Sequence, residues 1–487
     1  MSRIKSLLKN TTAIVVLAIV GSFSFADTNA QEIGDRVVVT ASTDTKIYDK
    51  VIERVHEGNI STVEEINGKW CKLDRAEGWL LLQNVMNLDM GLRHFSKRIK
   101  DNPRDSVALA HRGVIFHELE RFDEAFTDLD KSLAINRKNA VTWMLRGIVL
   151  KSQGKLILAS KDLNEALSLN PKLPNAHFNM ALILYAMEDY PKAIEAFDAA
   201  IKLEKKKKHA LWYVSRGSAK LGIDDLAGAS EDYKTALDVD PRLADSRVGL
   251  SNIALLRDDL ESAFEEADKA VEIQPKNAMA LNARGWVSFK LGKVDEAIYD
   301  LNRAIRYAPR LSIAYGNRGV CHVSKNEFDR AIADHTRHLK LTPNNPFALA
   351  NRAVAWLGKG EFEKAKMDYE AAQKIAPELD EALNGYAWFL ATCPDEKYRN
   401  GKLAIQKATK ACEISKNKDW YHLDTLASAY AEELDFENAV KYAQMALDVA
   451  PESKRNICQQ QLERFQRKEP FRSQVGKNAE QSIISGS

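Results

Sequence analysis

Small and apolar residues recur along this chain with the period of an α-helix, and the whole pattern repeats every 34 residues. Within residues 278–311, positions 4, 8 and 11 are of this kind, and their spacing predicts one face of a first helix. Positions 20, 24 and 27 have the same spacing and predict one face of a second helix. The six residues are Leu281, Gly285, Ser288, Ala297, Leu301 and Ala304.

Proline marks the end of each repeat. Because proline has no amide hydrogen and clashes with the preceding turn, it ends a helix, so each repeat is expected to be one helix–turn–helix unit. Gly292 is predicted to break the chain between the two helices, and Asp295 to be the N-cap of the second. Five prolines follow one another at a spacing of 34 residues: Pro241, Pro275, Pro309, Pro343 and Pro377.

The spacing departs from this period in two places. Residues 171–241 span 70 residues from proline to proline instead of 68, and we assign the excess to the loop Lys205–His209. Residues 377–451 span 74 instead of 68, and we assign most of that excess to Thr392–Gly401. Both segments are therefore predicted to be insertions in an otherwise regular array.

This unit resembles the tetratricopeptide repeat (TPR), whose pattern has a small residue at positions 8 and 20, a large one at 24 and proline at 32. Ten such repeats fit residues 106–451, with a lone second helix at 89–103 and a capping helix at 452–467. The resemblance implies a mainly α protein, a right-handed TPR α-solenoid superhelix in which the first helices line a concave groove. Residues 468–487 are polar and are predicted to form a disordered tail.

The chain before the repeats has a different pattern. In residues 1–26, basic residues precede a short apolar run that ends in small residues, which is typical of a secretory signal peptide; an uncleaved membrane anchor is the alternative. Residues 33–88 contain five short predicted strands separated by turns such as Asn67-Gly68. That turn and the strand Gly78-Trp79-Leu80 resemble bacterial SH3-like domains, which implies a small all-β SH3-like barrel. We expect an exported protein, periplasmic or secreted, with no membrane contact after cleavage.

Charge and cysteine content narrow the function classes. Basic residues number 70 and acidic residues 68, so nucleic acid is not expected as a general partner. The one dense basic run, Lys205–Lys208, is explained best as a solvated loop, with an anionic partner as the alternative. The five cysteines are scattered, so a disulfide framework is not expected. Cys393 and Cys412 should lie at opposite ends of antiparallel helices, too far apart to bridge.

Catalytic motifs do not occur in the sequence. There is no nucleophile elbow, phosphate-binding loop or paired-carboxylate arrangement, so neither an enzyme nor a cofactor is expected. One histidine cluster stands out: His322, His335 and His338. The latter two lie one helical turn apart and could both face a metal, but no carboxylate or cysteine completes the set at a suitable spacing. Core histidines are favoured, and a metal site is the alternative.

Arginine at position 7 and aspartate at position 23 occur together in the same six repeats. Their joint occurrence predicts an ion pair between the two helices of a repeat; arginines that bind a ligand are the alternative. The predicted pairs are Arg112–Asp128, Arg146–Asp162, Arg216–Asp232, Arg284–Asp300, Arg318–Asp334 and Arg352–Asp368.

The first helices carry apolar residues on the face opposite their core stripe, where an ordinary surface helix is polar. In TPR proteins this face lines the groove, and an asparagine at position 6 can hydrogen-bond the main chain of a ligand. Burial of the same face by tight winding of the array is the alternative. The candidate groove residues are Met144, Ile148, Phe178, Asn179, Tyr185, Asn282, Trp286, Phe289, Asn317, Asn351, Val354 and Trp388.

Together these patterns predict a protein–protein interaction scaffold that binds an extended peptide or a partner protein in the concave groove. The alternative is binding of cell-wall material by the SH3-like domain, with the repeats as an assembly scaffold.

Overall fold

The computed structural model describes residues 36–39, 43–47, 50–55, 60–67, 70–73, 79–81, 85–204 and 209–476. The predicted signal peptide, the lysine run 205–208, the turn residues Gly68 and Gly78, and residues 477–487 lie outside this part of the chain. The chain divides into two compact units, with the boundary between Ile223 and Asp224.

The first unit begins with an antiparallel sheet. Its described strands are β1 (Arg36–Val39), β2 (Thr43–Ile47), β3 (Lys50–Val55), β4 (Ile60–Asn67), β5 (Trp70–Leu73), β6 (Trp79–Leu81) and β7 (Val85–Asn87), in the order β3-β2-β6-β5-β4-β1-β7. Asn67 is the last residue of β4 and pairs with Trp70 of β5, so two residues connect these strands. The predicted turn Asn67-Gly68 is therefore wrong by one position. The sequence pattern missed β2, which is polar, and β7, which has three residues. Closure into an SH3-like barrel stays a prediction.

A single helix, α1 (Leu88–Asp101), joins this sheet to the repeats. Its Phe95 is fully buried in a cluster that contains Val38 of β1 and Ile115 of the following helix. A Cβ atom at Gly91 would lie 2.5 Å from Val38 Cγ1, so α1 can approach the sheet this closely only with glycine here. The lone helix therefore shares one core with the sheet and the first repeat.

Seven further helices complete the first unit, and three-residue turns join α2–α7 two by two. They are α2 (Ser106–Glu118), α3 (Phe122–Ile135), α4 (Ala140–Ser152), α5 (Leu156–Leu169), α6 (Pro174–Ala186), α7 (Tyr190–Leu203) and α8 (Ala210–Gly222).

The second unit contains fourteen helices among its described residues. They are α9 (Leu226–Val239), α10 (Ala244–Leu256), α11 (Leu260–Ile273), α12 (Ala278–Lys290), α13 (Val294–Tyr307), α14 (Ser312–Ser324), α15 (Phe328–Leu341), α16 (Pro346–Lys359), α17 (Phe362–Ile375), α18 (Asp380–Thr392), α19 (Gly401–Ile414), α20 (Trp420–Glu432), α21 (Phe436–Val449) and α22 (Glu452–Gln466). A short 3-10 helix, Glu396–Tyr398, lies within the predicted insertion Thr392–Gly401.

The two helices of a repeat approach closely where the sequence places small residues. A Cβ atom at Gly285 of α12 would lie 3.0 Å from Leu301 Cγ and 3.1 Å from the Ala297 carbonyl oxygen of α13. Gly113 faces Leu129 in the same way. The small residues at positions 8 and 20 and the large one at 24 thus form the contact that the period predicted. The protein is mainly α, with 22 described helices in a TPR-like solenoid; the superhelical hand stays a prediction.

Of the two predicted turn signals, one is confirmed and one is wrong. Gly292 has a φ of +80°, in the left-handed region that favours glycine, between α12 and α13. The N-cap of α13, however, is Lys293, whose side chain forms no capping hydrogen bond. Asp295 instead lies in the first turn, where a carboxylate interacts favourably with the helix dipole, and its Oδ1 accepts a hydrogen bond from Lys325 Nζ at 2.6 Å.

The C-terminal end of the array corrects the prediction of a disordered tail for residues 468–476; for residues 477–487, outside the described part of the chain, it stays a prediction. Helix α22 packs Leu462 and Phe465 against α21 and α20. Residues 471–476, within the predicted tail 468–487, then run back along the array and hydrogen-bond to α16 and α18. The pattern missed this because only Phe471 and Val475 interrupt a polar sequence. No described helix combines the length and apolar character that a bilayer span requires.

Candidate peptide-binding face

The predicted arginine–aspartate pairs form bidentate contacts between the helices of a repeat. In α12 and α13, Arg284 Nε and Nη2 donate to the two carboxylate oxygens of Asp300 at 2.7 and 2.9 Å. This hydrogen bonding, chiefly with Asp300, raises the pKa of Arg284. The same geometry occurs in five of the six predicted pairs: Arg112–Asp128, Arg146–Asp162, Arg284–Asp300, Arg318–Asp334 and Arg352–Asp368. Arg216 and Asp232 belong to different compact units.

The remaining guanidinium nitrogen of these arginines reaches the preceding repeat. Arg284 Nη1 donates to Asp268 of α11 at 2.6 Å, and Arg216 Nη1 donates to Asp198 of α7 at 2.5 Å. These acceptors share position 25, where the residue type varies, so the sequence pattern did not reveal them. Each arginine therefore connects two repeats, and this use of its donors favours a structural role over ligand binding.

The twelve candidate groove residues are mostly buried. Ile148, Phe178, Asn179 and Phe289 are half-buried. The structure brings several together in local pairs: Trp286 stacks on Phe289 with ring centroids 5.4 Å apart. The first five candidates lie in the first unit and the other seven in the second. The buried members are Met144, Tyr185, Asn282, Trp286, Asn317, Asn351, Val354 and Trp388.

Three of the four candidate asparagines take part in side-chain hydrogen bonds within the chain: Asn179, Asn282 and Asn317. Asn317 Nδ2 donates to Asn282 Oδ1 at 3.0 Å, which joins the first helices α12 and α14. Asn179 Oδ1 accepts from Lys151 Nζ at 2.7 Å. A ligand main chain would have to replace or extend these hydrogen bonds, so asparagine at position 6 is a weaker binding signal here than the resemblance implies.

The histidine cluster lies in the interior of repeat seven. His335 and His338 are buried, and burial lowers their pKa values to about 3 and about 4. His322 is bound separately, with Nδ1 2.7 Å from Glu327 Oε2. Among the described residues, no group of three histidine, cysteine or acidic side chains is arranged to hold a metal ion. The geometry fits core histidines.

All five cysteines are buried and none forms a disulfide in the described structure. Burial raises the pKa of the Cys71 and Cys393 thiols to about 11 and that of the Cys321, Cys412 and Cys458 thiols to about 12. Their environment is that of structural cysteines.

The strongest feature of the first-helix face is the segment Phe471–Gly476, which sequence reasoning missed. Ser473 N donates to the Thr392 carbonyl oxygen at the end of α18, and Gly476 N donates to the Gly358 carbonyl oxygen near the end of α16, both at 2.9 Å. Arg472 Nη2 lies 2.5 Å from Glu432 Oε2 at the end of α20. A segment that is neither helix nor strand, and that ends in a turn at residues 475–476, thus contacts the ends of three successive first helices.

The predicted insertion Thr392–Gly401 borders the same place. Arg399 Nε donates to Glu432 Oε1 at 2.9 Å, and Arg399 Nη1 donates to the Cys393 carbonyl oxygen at 3.1 Å. This insertion therefore supplies a second cation to the carboxylate that Arg472 contacts.

Paired helices with a repeated interhelical contact define a helical-repeat protein. Models of the tetratricopeptide repeat match residues 147–188, 174–207, 214–278 and 278–311. These matches and the fold support a TPR repeat protein.

One solved structure with a TM-score above 0.5 agrees at the level of the fold. The chain is similar to the APC/C hetero-tetramer Cut9–Hcn1, with 14% identity and a TM-score of 0.53 over 74% of this chain and 76% of that one. It is also similar to a tetratricopeptide repeat protein from Parabacteroides merdae ATCC 43184, with 18% identity and a TM-score of 0.46 over 51% of this chain and 98% of that one. No curated protein matches the chain.

Proposed function

We propose that this protein is a protein–protein interaction scaffold that binds an extended peptide or a segment of a partner protein along the first helices of its repeats. One observation carries the proposal: a non-helical segment, Phe471–Gly476, lies across the C-terminal ends of three first helices and is held by two main-chain hydrogen bonds and an ion pair. Main-chain recognition of this kind supplies affinity without demanding one particular sequence.

Site-specific photo-crosslinking in the producing cell tests the proposal. A photoreactive amino acid at Phe289, half-buried on the first-helix face, should capture a partner polypeptide. The same group at Tyr299, 63% exposed on the second helix of the same repeat, is the matched control and should capture markedly less. Equal capture at the two positions, or none at either, would contradict binding on this face.

The predicted groove residues stay candidates within this proposal. Export through residues 1–26 stays a prediction, which fractionation of cells would test. Binding of cell-wall material by the N-terminal sheet also stays a prediction, which co-sedimentation with cell-wall material would test.

A further inference from the structure

We propose that the last turns of α16, α18 and α20 form a docking site for an extended peptide that carries an aromatic residue followed by arginine, and that the chain's own residues 471–476 occupy it as an intramolecular competitor. We call it the tail site and define it by Gly358, Trp388, Thr392 and Glu432. The competition with a partner rests on the proposed function; the docking of the tail does not.

The helix ends explain why this place accepts a segment that is neither helix nor strand. The last four carbonyl groups of an α-helix have no partner within the helix. The tail donates to two of these carbonyls with the amides of Ser473 and Gly476. Ser473 Oγ also lies 2.7 Å from Thr392 Oγ1, so residue 473 is recognised by its main chain and its side chain together.

The same helix ends explain why the docked segment carries arginine. A helix C-terminus bears a partial negative charge, which favours a cation. Arg472 lies at the ends of α18 and α20: its Nη1 reaches the Ala391 carbonyl oxygen at 3.5 Å and its Nη2 pairs with Glu432. The Glu432 side chain is only 14% exposed, so this pair is more shielded from solvent than a surface ion pair.

An aromatic contact fixes the register of the segment. The Phe471 ring lies 5.4 Å from the Trp388 ring, centroid to centroid, and the Arg464 guanidinium lies 5.5 Å from the Phe471 centroid. Phe471 also packs against the cluster that includes Leu462 and Phe465. Phe471 is half-buried, and an aromatic side chain next to an arginine is a common composition of the energetic centre of a protein interface.

The backbone at the end of α22 directs the tail into this site. Lys468 has a φ of +61°, and the amides of Lys468 and Glu469 donate to the carbonyls of Phe465 and Arg464. This is the Schellman arrangement, which ends a helix and reverses the chain. Only Arg467–Pro470 separate the helix from the docked segment, and a tether this short gives an effective concentration in the millimolar range. A free peptide must compete against that concentration.

Fluorescence anisotropy with a labelled peptide of residues 469–477 tests the competition in the full chain. The variant Phe471→Ala/Arg472→Ala weakens its own tail and should bind the peptide roughly 10-fold or more tightly than wild type, because the internal competitor is gone. The control Arg455→Ala removes an exposed arginine of α22 that pairs with Glu452, and it should bind like wild type. Equal binding by all three proteins, or no binding by any, would overturn the proposal.

Two further measurements keep the result independent of misfolding. Adding Glu432→Gln to the weakened-tail variant should abolish the gain in peptide binding while circular dichroism stays unchanged; an unchanged gain would remove Glu432 from the site. In otherwise wild-type protein, Glu432→Gln should accelerate tryptic cleavage after Arg472 several-fold, and an unchanged cleavage rate would contradict docking.

Two other outcomes bear on the proposal as a whole. A wild-type dimer with the tail crosslinked to the other chain would overturn the intramolecular placement. If residue 289 crosslinks a partner but every peptide-binding measurement fails, the tail site is excluded and the proposed function is not.

Discussion

Single residues carry more than one interaction in this protein, and the arginines at position 7 show it best. The sequence revealed the pairing with position 23, because the two residue types occur together. It did not reveal position 25 of the preceding repeat, because aspartate, asparagine, threonine and serine all serve there as acceptors of Arg284, Arg318, Arg352 and Arg112. A sequence pattern reveals a contact only when both positions are restricted to particular residue types.

A double-mutant cycle measures the pairing within a repeat. Arg284→Met with Asp300→Ala copies repeat three, which has Met180 and Ala196 at these positions. Because each single change leaves the other charge at a largely buried site, the double variant should be less destabilised than the sum of the singles, by roughly 0.5–3 kcal/mol. Urea denaturation gives the free energies of unfolding. The cross pair Arg352→Met with Asp300→Ala is the control and should be additive; additivity of the first pair would contradict the contact.

His335 gives the chain a sensitivity to acid. Burial, helped by the charges of His338 and Arg352, lowers its pKa to about 3, whereas an unfolded histidine titrates near 6.5. As the pH falls below about 6.5, the unfolded chain takes up the proton first, so stability is lost from there down towards the folded-state pKa. His335→Leu should reduce the loss between pH 7 and 5 by up to about 2 kcal/mol in urea denaturation.

The same substitution should raise stability at pH 7. Both ring nitrogens of His335 lack a hydrogen-bond partner within the described residues, and leucine already occupies the equivalent position at Leu129, Leu163 and Leu301. His335→Gln separates the two effects, since it cannot be protonated but stays polar: it should lose the pH dependence without the gain at pH 7. A pH dependence that persists in both variants would exclude His335 as its source.

At the scale of elements, the period predicted almost every helix, because one repeated contact between small and large residues determines the pair. The predictions failed where structure depends on something outside the repeat. The N-cap of α13 fell on Lys293 because the turn geometry, rather than a capping side chain, sets the helix start. The tail was missed because the carbonyls that hold it belong to the main chain of α16 and α18, which sequence patterns do not report.

The interhelical contact at position 8 is open to a direct test. Gly285→Val should destabilise the protein by roughly 1–3 kcal/mol, because the added atoms meet Leu301 and the Ala297 carbonyl. Gly292→Asn is the control: a Cβ there has open space, and asparagine tolerates the left-handed backbone, so the change should be less than about 1 kcal/mol. Thermal and urea denaturation measure both. Equal costs would contradict close packing at Gly285, because valine has the higher helix propensity and would otherwise not destabilise α12.

At the scale of the molecule, each helix pair packs mainly against its neighbours, so stability should be distributed along the array. We expect urea unfolding followed by circular dichroism and by tryptophan fluorescence to give transitions that do not coincide. The eight tryptophans are spread from Trp70 to Trp420 and report different regions. A single sharp transition seen identically by both probes would contradict a distributed core.

The buried cysteines have a practical consequence for such measurements. Thiol reagents attack the thiolate, and a thiol with a pKa near 11 or 12 inside the core is rarely ionised and rarely reached. The native protein should therefore react slowly with Ellman's reagent, and guanidinium should release five thiols. One cysteine introduced at an exposed position such as Tyr299 could then be labelled selectively, which would make distance spectroscopy along the array feasible without first removing any native cysteine.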